Sequence, residues 1–498
     1  MYLGIDVGTS SVKVIVMDKQ GVIIESASEK YPLSFPKPLW SEQNPEDWWQ
    51  GTADAIKKIC TKNPGLGEQI EGISFSGQMH GLVILDEAGE VLRPSILWND
   101  GRTQKQCDYL NDIIGRDKLS AYTGNIALSG FTGPKVMWVK ENEPEIFDKI
   151  AHILLPKDYI RFRLTGEYKI DAADAAGTLF FDVKNKAWSK EMVDILSIKP
   201  EWLPEVYNCY EVTGIVQKDV ADELGISDKA KVIGGGGDQA VGAVGTGTVA
   251  SGVVSVALGT SGVVFASVDD YKVDKENRMH SFNHANGKFT QMGVMLSAAY
   301  SLQWWVEEVN KDIQAENPYK VLRDEAAKVP AGSEGLIFLP YLSGERTPHA
   351  DVNATGVFIG LKPSHTRGHM TRAVMEGVGY GLRDSLEILK DMQIPIHEMR
   401  ITGGGVRNEL WVEILASIFN YELNIVEASE GPAYGASVLA AVGCGLFNSV
   451  EEACRELIKV SKIIKPCEED AKVYDKYYQV FKKGYGQLKD IYKDLAEL

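Results

Sequence analysis

The sequence predicts an α/β protein of two lobes in which one structural unit is written twice. Three observations carry that reading. The chain has 498 residues, more than a single hydrophobic core normally serves, so two domains of about 250 residues are the natural division. The phrase IDVGTSSVKVIV (residues 5–16) returns as VALGTSGVVFAS (residues 256–267), about half the chain further on. In both halves, β-branched runs give way to segments of helical periodicity.

Taken in order, residues 2–6, 12–18 and 22–30 read as three successive strands, with Gly-Thr-Ser as the first turn and residues 18–21 as the second. Glycine lets the backbone turn tightly and lets a ligand come close, while Thr and Ser add hydroxyls and backbone N–H groups. Helical periodicity follows, then a strand at residues 70–76. In the second half, residues 253–258 and 263–267 repeat the hairpin. Val374, Val378, Leu382, Leu386 and Leu389 then fall at helical spacing and mark one buried helix face. A final helix is expected to bury Val473, Tyr477, Val480, Phe481, Leu488 and Ile491 as core or interface. No low-complexity linker separates the halves, so the lobes are expected to meet directly near residues 240–250. The division expected is residues 1–245 and 246–498.

Composition narrows the function. A formal charge of −17 argues against nucleic acid and against anionic membrane surfaces as partners. Any anionic ligand must then be held by local devices: backbone amides, helix N-termini, lysines or a metal ion. Residues 239–268 carry no charge, but Gly, Ser and Thr interrupt them throughout, so buried sheet is the reading rather than a membrane span. The six cysteines form no CxxC pair and no zinc spacing. With no signal-peptide pattern at the start, reduced thiols and a cytoplasmic location are expected.

Three glycine clusters carry the chemistry. The first is the repeated GTS turn, which could be two jaws around a polyphosphate or two unrelated hairpins sharing a tripeptide. The second is KVIGGGGDQAVGAV (residues 231–244), which runs from a strand through four glycines into Asp238 and an apolar helix. Asp is a favoured N-cap, and a cap alone would account for it. Four glycines, however, carry an entropic cost that a cap does not require, and they suit close approach of a substrate to the backbone. A carboxylate held there could accept a hydroxyl proton as general base. The third is ITGGGVRNELW (residues 401–411), an ordinary strand-to-helix turn or a platform for a nucleotide. No GxxxxGK[ST] loop occurs, and no GxGxxG opens a helix after a strand.

Together, the duplicated hairpin, the Asp after a glycine run and the late GGG turn resemble the sugar-kinase branch of the actin and heat-shock ATPase superfamily. More narrowly, the chain resembles the FGGY carbohydrate kinases. GFTGPKVMW (residues 130–138) and TGVFIGLKPSHTRGHMTRAVME (residues 355–376) match that family's signatures. The blocks PLWSEQNPEDWW, SGQMHG, LWNDGRT, LLPKDYIRFRLTGE and YLSGERTPH look most like the members that act on D-xylulose. Gln239 departs from some of these, which have Asn there; both are amides with the same donors and acceptors.

The resemblance implies a fold of two duplicated ribonuclease H-like domains of the actin/hexokinase type with a cleft between them. It implies ATP-dependent phosphorylation of the sugar's terminal hydroxyl, with ATP and Mg²⁺ as cofactors and a small sugar as partner. Asp238 would be the base, and Asp6 would help place Mg²⁺, although an Asx-turn would also explain Asp6. Thr9, Ser10, Ser11, Gly259 and Thr260 would line the phosphates, with Gln303, Gly404 and Asn408 near the adenosine. Met79, His80, Asp238 and Gln239 would meet the sugar. Asp100 and Arg102 either support that pocket or form an internal ion pair, and Trp48 and Trp49 are core or sugar wall. The oligomeric state stays open, a homodimer included. Two other readings remain: an FGGY kinase for gluconate or another ketopentose, and a nucleotide-switched binding protein.

Overall fold

The computed structural model describes residues 1–426 and 431–498. Two seven-stranded sheets dominate it. In the first, β1 (Tyr2–Val7), β2 (Ser11–Met17) and β3 (Ile23–Lys30) form an antiparallel meander. β4 (Gly72–Gly77) adds in parallel to β1, β6 (Lys231–Ile233) in parallel to β4, and β5 (Val212–Ile215) closes the far edge antiparallel to β6. The short pair Gly236–Gly237 also runs parallel to β4.

The second sheet repeats this pattern. β7 (Val253–Leu258) and β8 (Gly262–Val268) form the hairpin, and β10 (Phe289–Met295) follows β8 antiparallel, with β9 (His280–Asn283) outside it. β11 (Glu398–Thr402) lies parallel to β7, β12 (Leu423–Val426) parallel to β11, and β13 (Val460–Ile464) antiparallel at the edge. The duplication expected from two GTS turns therefore extends over six strands of each sheet, with the pair Gly236–Gly237 added in the first and β9 in the second.

Helix starts follow local chemistry. α1 (Pro45–Lys62) has Pro at its first position, Glu46 and Asp47 in its first turn, and Asn44 accepting from the Glu46 N–H at 3.2 Å. α2 (Thr132–Asn142) carries the GFTGPK motif, and α3 (Asp238–Gly245) opens directly at Asp238. The capping position there belongs to Gly237, so Asp238 sits inside the first turn rather than serving as the N-cap.

α4 (Arg367–Asp391) buries Val374, Val378, Leu382, Leu386 and Leu389, as their spacing requires. α5 (Glu409–Phe419) follows the GGG turn. α6 (Gly431–Gly443), from the second half of the sequence, lies on the first sheet. A Cβ at Gly4 of β1 would meet the Ala433 carbonyl oxygen at 2.1 Å, and one at Gly435 would meet the Val241 oxygen of α3 at 2.0 Å. Glycines therefore set how closely α6 packs against β1 and α3.

α7 (Glu468–Ala496) corrects the expected register. Its buried face is Tyr474, Tyr478, Phe481 and Tyr492, while Val480 and Ile491 are exposed. Two of these tyrosines find hydroxyl partners there, Tyr474 with Arg372 and Glu376 and Tyr478 with Asp384. No helix among the described residues is long and apolar enough to cross a membrane.

Candidate active site

β1 carries Asp6 opposite Lys13 of β2 and Ser76 of β4. Burial raises the Asp6 carboxyl above its usual range, with Lys13 among the groups pulling it back. Its Oδ1 is buried and has no hydrogen-bond partner among the described residues. Asp238 lies close enough to feel Asp6. Burial first, and then the negative charge of Asp6, push the Asp238 carboxyl up to about 7. Two nearby carboxylates with an unmet oxygen suit a cation between or beside them. Among the described residues no group of three or more His, Cys, Asp or Glu side chains could hold a metal alone. An ion there would need phosphate and water oxygens as well, which is the ordinary habit of Mg²⁺.

The glycine run brings Asp238 against the loop after β4. A Cβ at Gly237 would stand 2.7 Å from the Met79 Cγ, and one at Gly177 would stand 2.6 Å from the His80 ring. These glycines are required by packing, since any side chain would push Met79 or His80 away. Both are buried. His80 holds a left-handed backbone (φ 69°), a strained state for a non-glycine residue that its surroundings must enforce. Two groups do so: the Lys135 ammonium donates to the His80 carbonyl at 2.7 Å, and the Thr132 hydroxyl donates to it at 3.2 Å. The GFTGPK motif is thus the clamp behind His80.

The His80 Nδ1 lies 2.7 Å from the Gly177 carbonyl. A carbonyl only accepts, so Nδ1 carries the proton. Burial foremost, helped by the positive charge of Lys135, keeps the ring neutral, well below the usual imidazole range. Nε2 is left as a hydrogen-bond acceptor. The ring packs against Phe131 at 4.8 Å between centroids.

The two hairpin turns face different environments. In the first, the Thr9 hydroxyl bonds with Gln78 at 3.3 Å and accepts from the Trp98 indole at 2.9 Å, and the Gly8 N–H donates to the Ser11 carbonyl at 3.1 Å. Ser10 is exposed at the tip, and Ser11 opens β2 half-buried. In the second, the Gly259 and Thr260 carbonyls accept from Ala299 and Ala298, at 2.8 and 3.0 Å. The late GGG turn meets this hairpin directly, because a Cβ at Gly403 would lie 2.6 Å from the Leu258 carbonyl.

A cleft of about 500 Å³ runs between the lobes, lined by Asp238 and Gln239 on one side and by Thr402, Gly403, Gly404 and Arg407 on the other. Asp238, Gln239 and Gly404 therefore share one space. Asn408 stands at the start of α5 and accepts from the Trp411 N–H at 3.3 Å. Gln303 is exposed on the helix Ala299–Trp304 and donates to Glu307 at 2.9 Å. Neither side chain lines that cleft.

Asp100 and Arg102 are bonded to each other, and Arg102 also reaches Glu42 and stacks on Trp40. They form an internal network rather than a pocket wall. Trp48 is fully buried core.

Sequence reasoning missed the polar cluster under this site. Lys157, fully buried, pairs with Asp158, Asp171 and Asp174, and Arg161 joins Asp158. Burial opposes the Lys157 charge, but the three carboxylates outweigh it and hold the ammonium above its usual range. The cluster touches the site at two points: a Cβ at Gly77 would meet Lys157 at 2.9 Å, and Asp238 adds its charge to those acting on Asp174. The Lys-Asp pair in LLPKDYIRF was the available signal.

Comparison with known proteins fits this geometry. Residues 1–245 match the N-terminal domain of the FGGY family of carbohydrate kinases, and residues 254–444 match its C-terminal domain. The chain is 40% identical over 490 residues to a xylulose kinase of Bacillus subtilis, covering 98% of this chain and 97% of that protein. To a gluconokinase of the same organism it is 29% identical over 502 residues, covering 99% and 97%. The crystal structure of a xyloylose kinase from Brucella ovis superposes with a TM-score of 0.93 at 36% identity, covering 98% and 99%.

Proposed function

The chain belongs to the FGGY family of carbohydrate kinases, and from that membership we propose that it transfers the γ-phosphoryl group of ATP to the terminal hydroxyl of D-xylulose. The observation that carries the reading is the position of Asp238. The adjacent Gly237 packs against Met79, next to His80, and Asp238 itself lines the interlobe cleft that reaches the GGG turn. The greater similarity to a xylulose kinase than to a gluconokinase favours the ketose as substrate.

In this reading Asp238 accepts the proton of the attacking hydroxyl. The oxygen forms a bond to the γ-phosphorus, the bond to the β-phosphate oxygen breaks, and ADP leaves. A carboxyl pushed up to about 7 is well matched to taking a proton near neutral pH. The neutral His80 accepts a sugar O–H at Nε2, and Gln239 offers an amide beside the base. Thr9, Ser10 and Ser11 on one lobe, with Gly259 and Thr260 on the other, present hydroxyls and N–H groups to the phosphates. Gly404, bare of neighbours, leaves room for the adenosine, with Asn408 and Gln303 further along. Asp6 would hold Mg²⁺ with phosphate and water oxygens; when bound, the ion supplies charge neutralisation for the phosphates. Positioning and charge do the remaining catalysis.

The test is sugar-dependent ADP release across a panel of ketoses, polyols and aldonates. Turnover confined to D-xylulose and close ketoses is the expected result. ATP turnover indifferent to sugar would instead make the chain a nucleotide-switched binding protein, and preference for an aldonate would make it a gluconate-type kinase.

A further inference from the structure

The second lobe carries a partly buried cation that no described residue hydrogen-bonds or closely pairs with, although the neighbouring Glu345 acts on its charge. It stands in YLSGERTPH, the connection between the strands Ile337–Leu339 and Val357–Ile359. The backbone on either side of it is fixed. Glu345 Oε1 accepts from the Leu296 N–H at 3.0 Å and the Arg346 N–H at 2.8 Å. Thr347 donates its N–H to the Val294 carbonyl at 2.9 Å, accepts from the Val294 N–H at 3.0 Å and donates its hydroxyl to the Arg278 carbonyl at 3.1 Å.

Between these anchors the Arg346 guanidinium makes no hydrogen bond and no ion pair among the described residues, although Glu345 is its neighbour. That is unusual in a chain with 69 acidic and 52 basic residues, because a partly buried charge without a partner is costly. The guanidinium points across the interlobe space. One of its Nη atoms lies 3.8 Å from the position a Cβ at Gly130 would take. Gly130 opens the GFTGPK turn, its carbonyl is taken by Lys135 at 2.7 Å, and the adjacent Phe131 ring packs on both His80 and His280. The charge is felt there as well: after burial, Arg346 helps hold His280 at about 3, and it adds to the depression of His80. Glu345 opposes the burial of the guanidinium without forming an ion pair, and the five donors in their forked plane make no hydrogen bond among the described residues.

We propose that Arg346 is a specificity residue that contacts the substrate from the second lobe, its guanidinium donating to carbonyl or hydroxyl oxygens of the sugar held by His80 on the first. The inference rests on the sugar-kinase reading above and deepens it, because it makes the sugar a bridge between the lobes. A neutral ketose offers adjacent oxygen lone pairs that a two-pronged donor fits, acceptors that no described residue supplies to this guanidinium.

The test compares wild type with Arg346→Gln and Arg346→Lys, measuring steady-state kinetics with D-xylulose, affinity for a non-hydrolysable ATP analogue, and thermal midpoint. Losing hydrogen bonds from a charged donor should raise the KM for xylulose roughly 10- to 150-fold in Arg346→Gln. Arg346→Lys should lie between that variant and wild type, ATP-analogue affinity should hold, and kcat should change little. An unchanged KM overturns the proposal. So does a fall in kcat at constant KM, which would place the arginine on the transferring phosphoryl group, or a loss of ATP-analogue affinity. Should Arg346→Gln unfold early, Arg346→Lys alone decides by the same criteria. If wild type phosphorylates an aldonate and no ketose, the substrate assignment fails while Arg346 is judged by the KM for that aldonate. If wild type phosphorylates nothing in the panel, both fail.

Discussion

The carboxyl of Asp238 is pushed up to about 7 by burial and by Asp6, and nearby Met79 and His80 each pack on a glycine, Gly237 and Gly177, where an added Cβ would force a shift. Substituting Asp238→Asn keeps the shape and one acceptor oxygen but removes the proposed base. Turnover should fall by about 10²–10⁴-fold, with the thermal midpoint and sugar affinity little changed; a purified variant with near-normal kcat would remove Asp238 from the chemistry. His80 is the corresponding test on the sugar side. His80→Ala leaves a sugar hydroxyl without its acceptor in a closed pocket, a loss of about 1–3 kcal/mol. The kcat/KM for xylulose should therefore drop roughly 5- to 150-fold by the tenfold-per-1.4-kcal/mol rule, while ATP affinity stays put. His80→Asn, which tolerates the left-handed backbone better, separates loss of the ring from loss of the turn. If ATP affinity falls and sugar kinetics do not, His80 is scaffold. Asp238 and His80 were legible in the sequence because glycines flank them, and glycine leaves a mark that periodicity does not erase. Arg346, Lys135 and Lys157 were not. Lys135 reaches His80, Lys157 reaches Asp171 and Asp174 as well as the adjacent Asp158, and Arg346 lies near Gly130. Each faces groups distant in the chain that its immediate sequence does not reveal, the Lys157–Asp158 pair being the one local sign.

Among elements, the strands of both hairpins and the buried face of α4 followed from β-branched runs and from i, i+4 spacing, since each of these patterns admits one register. The last helix did not. Tyr474, Tyr477 and Tyr478 place aromatic residues on two faces, so the pattern fits two registers, and hydroxyl partners on α4 decide between them. The connection that carries Glu345 allows a test of how a buried carboxyl sets the pH response of one element. Burial pushes Glu345 up to about 8 from an ordinary 4.5. Between those values the folded protein holds a proton that the unfolded chain has released. This contribution to stability is therefore complete below about pH 4.5 and is lost as pH rises to about 8. Asp384, raised to about 7 mainly by burial, acts in the same sense. Glu345→Gln keeps an acceptor for the Leu296 and Arg346 N–H groups and cannot ionise. Its thermal midpoint should match wild type near pH 5 and exceed it at pH 8–9, with a shallower decline between. Parallel midpoint-against-pH curves for the two proteins would show that Glu345 does not ionise in the folded state across this range.

At the scale of the whole molecule, the proposed ligand sites draw on both lobes. The two GTS turns lie on different sheets, the cleft has Asp238 and Gln239 on one wall and the GGG turn on the other, and α6 crosses from the second half of the chain onto the first sheet. Its contact with α3 is backbone against backbone: a Cβ at Gly245 would lie 2.6 Å from the Gly431 oxygen, and one at Gly435 2.0 Å from the Val241 oxygen. Close-packed backbones of this kind hold one relative placement firmly and have no long side chains to absorb a change. A sugar that draws the second lobe toward His80 would therefore also bring the second GTS turn and the GGG platform toward Asp6 and Asp238, where the phosphates would lie. Binding of either ligand would meet part of the closing cost for the other. Sugar should tighten the binding of a non-hydrolysable ATP analogue, and linkage requires the analogue to tighten sugar by the same factor, expected at about 5- to 150-fold. Titration calorimetry run in both orders measures the two factors independently. Equal factors well above one are the predicted outcome, and identical sugar affinity with and without the analogue would mean that the lobes bind their ligands without closing on each other.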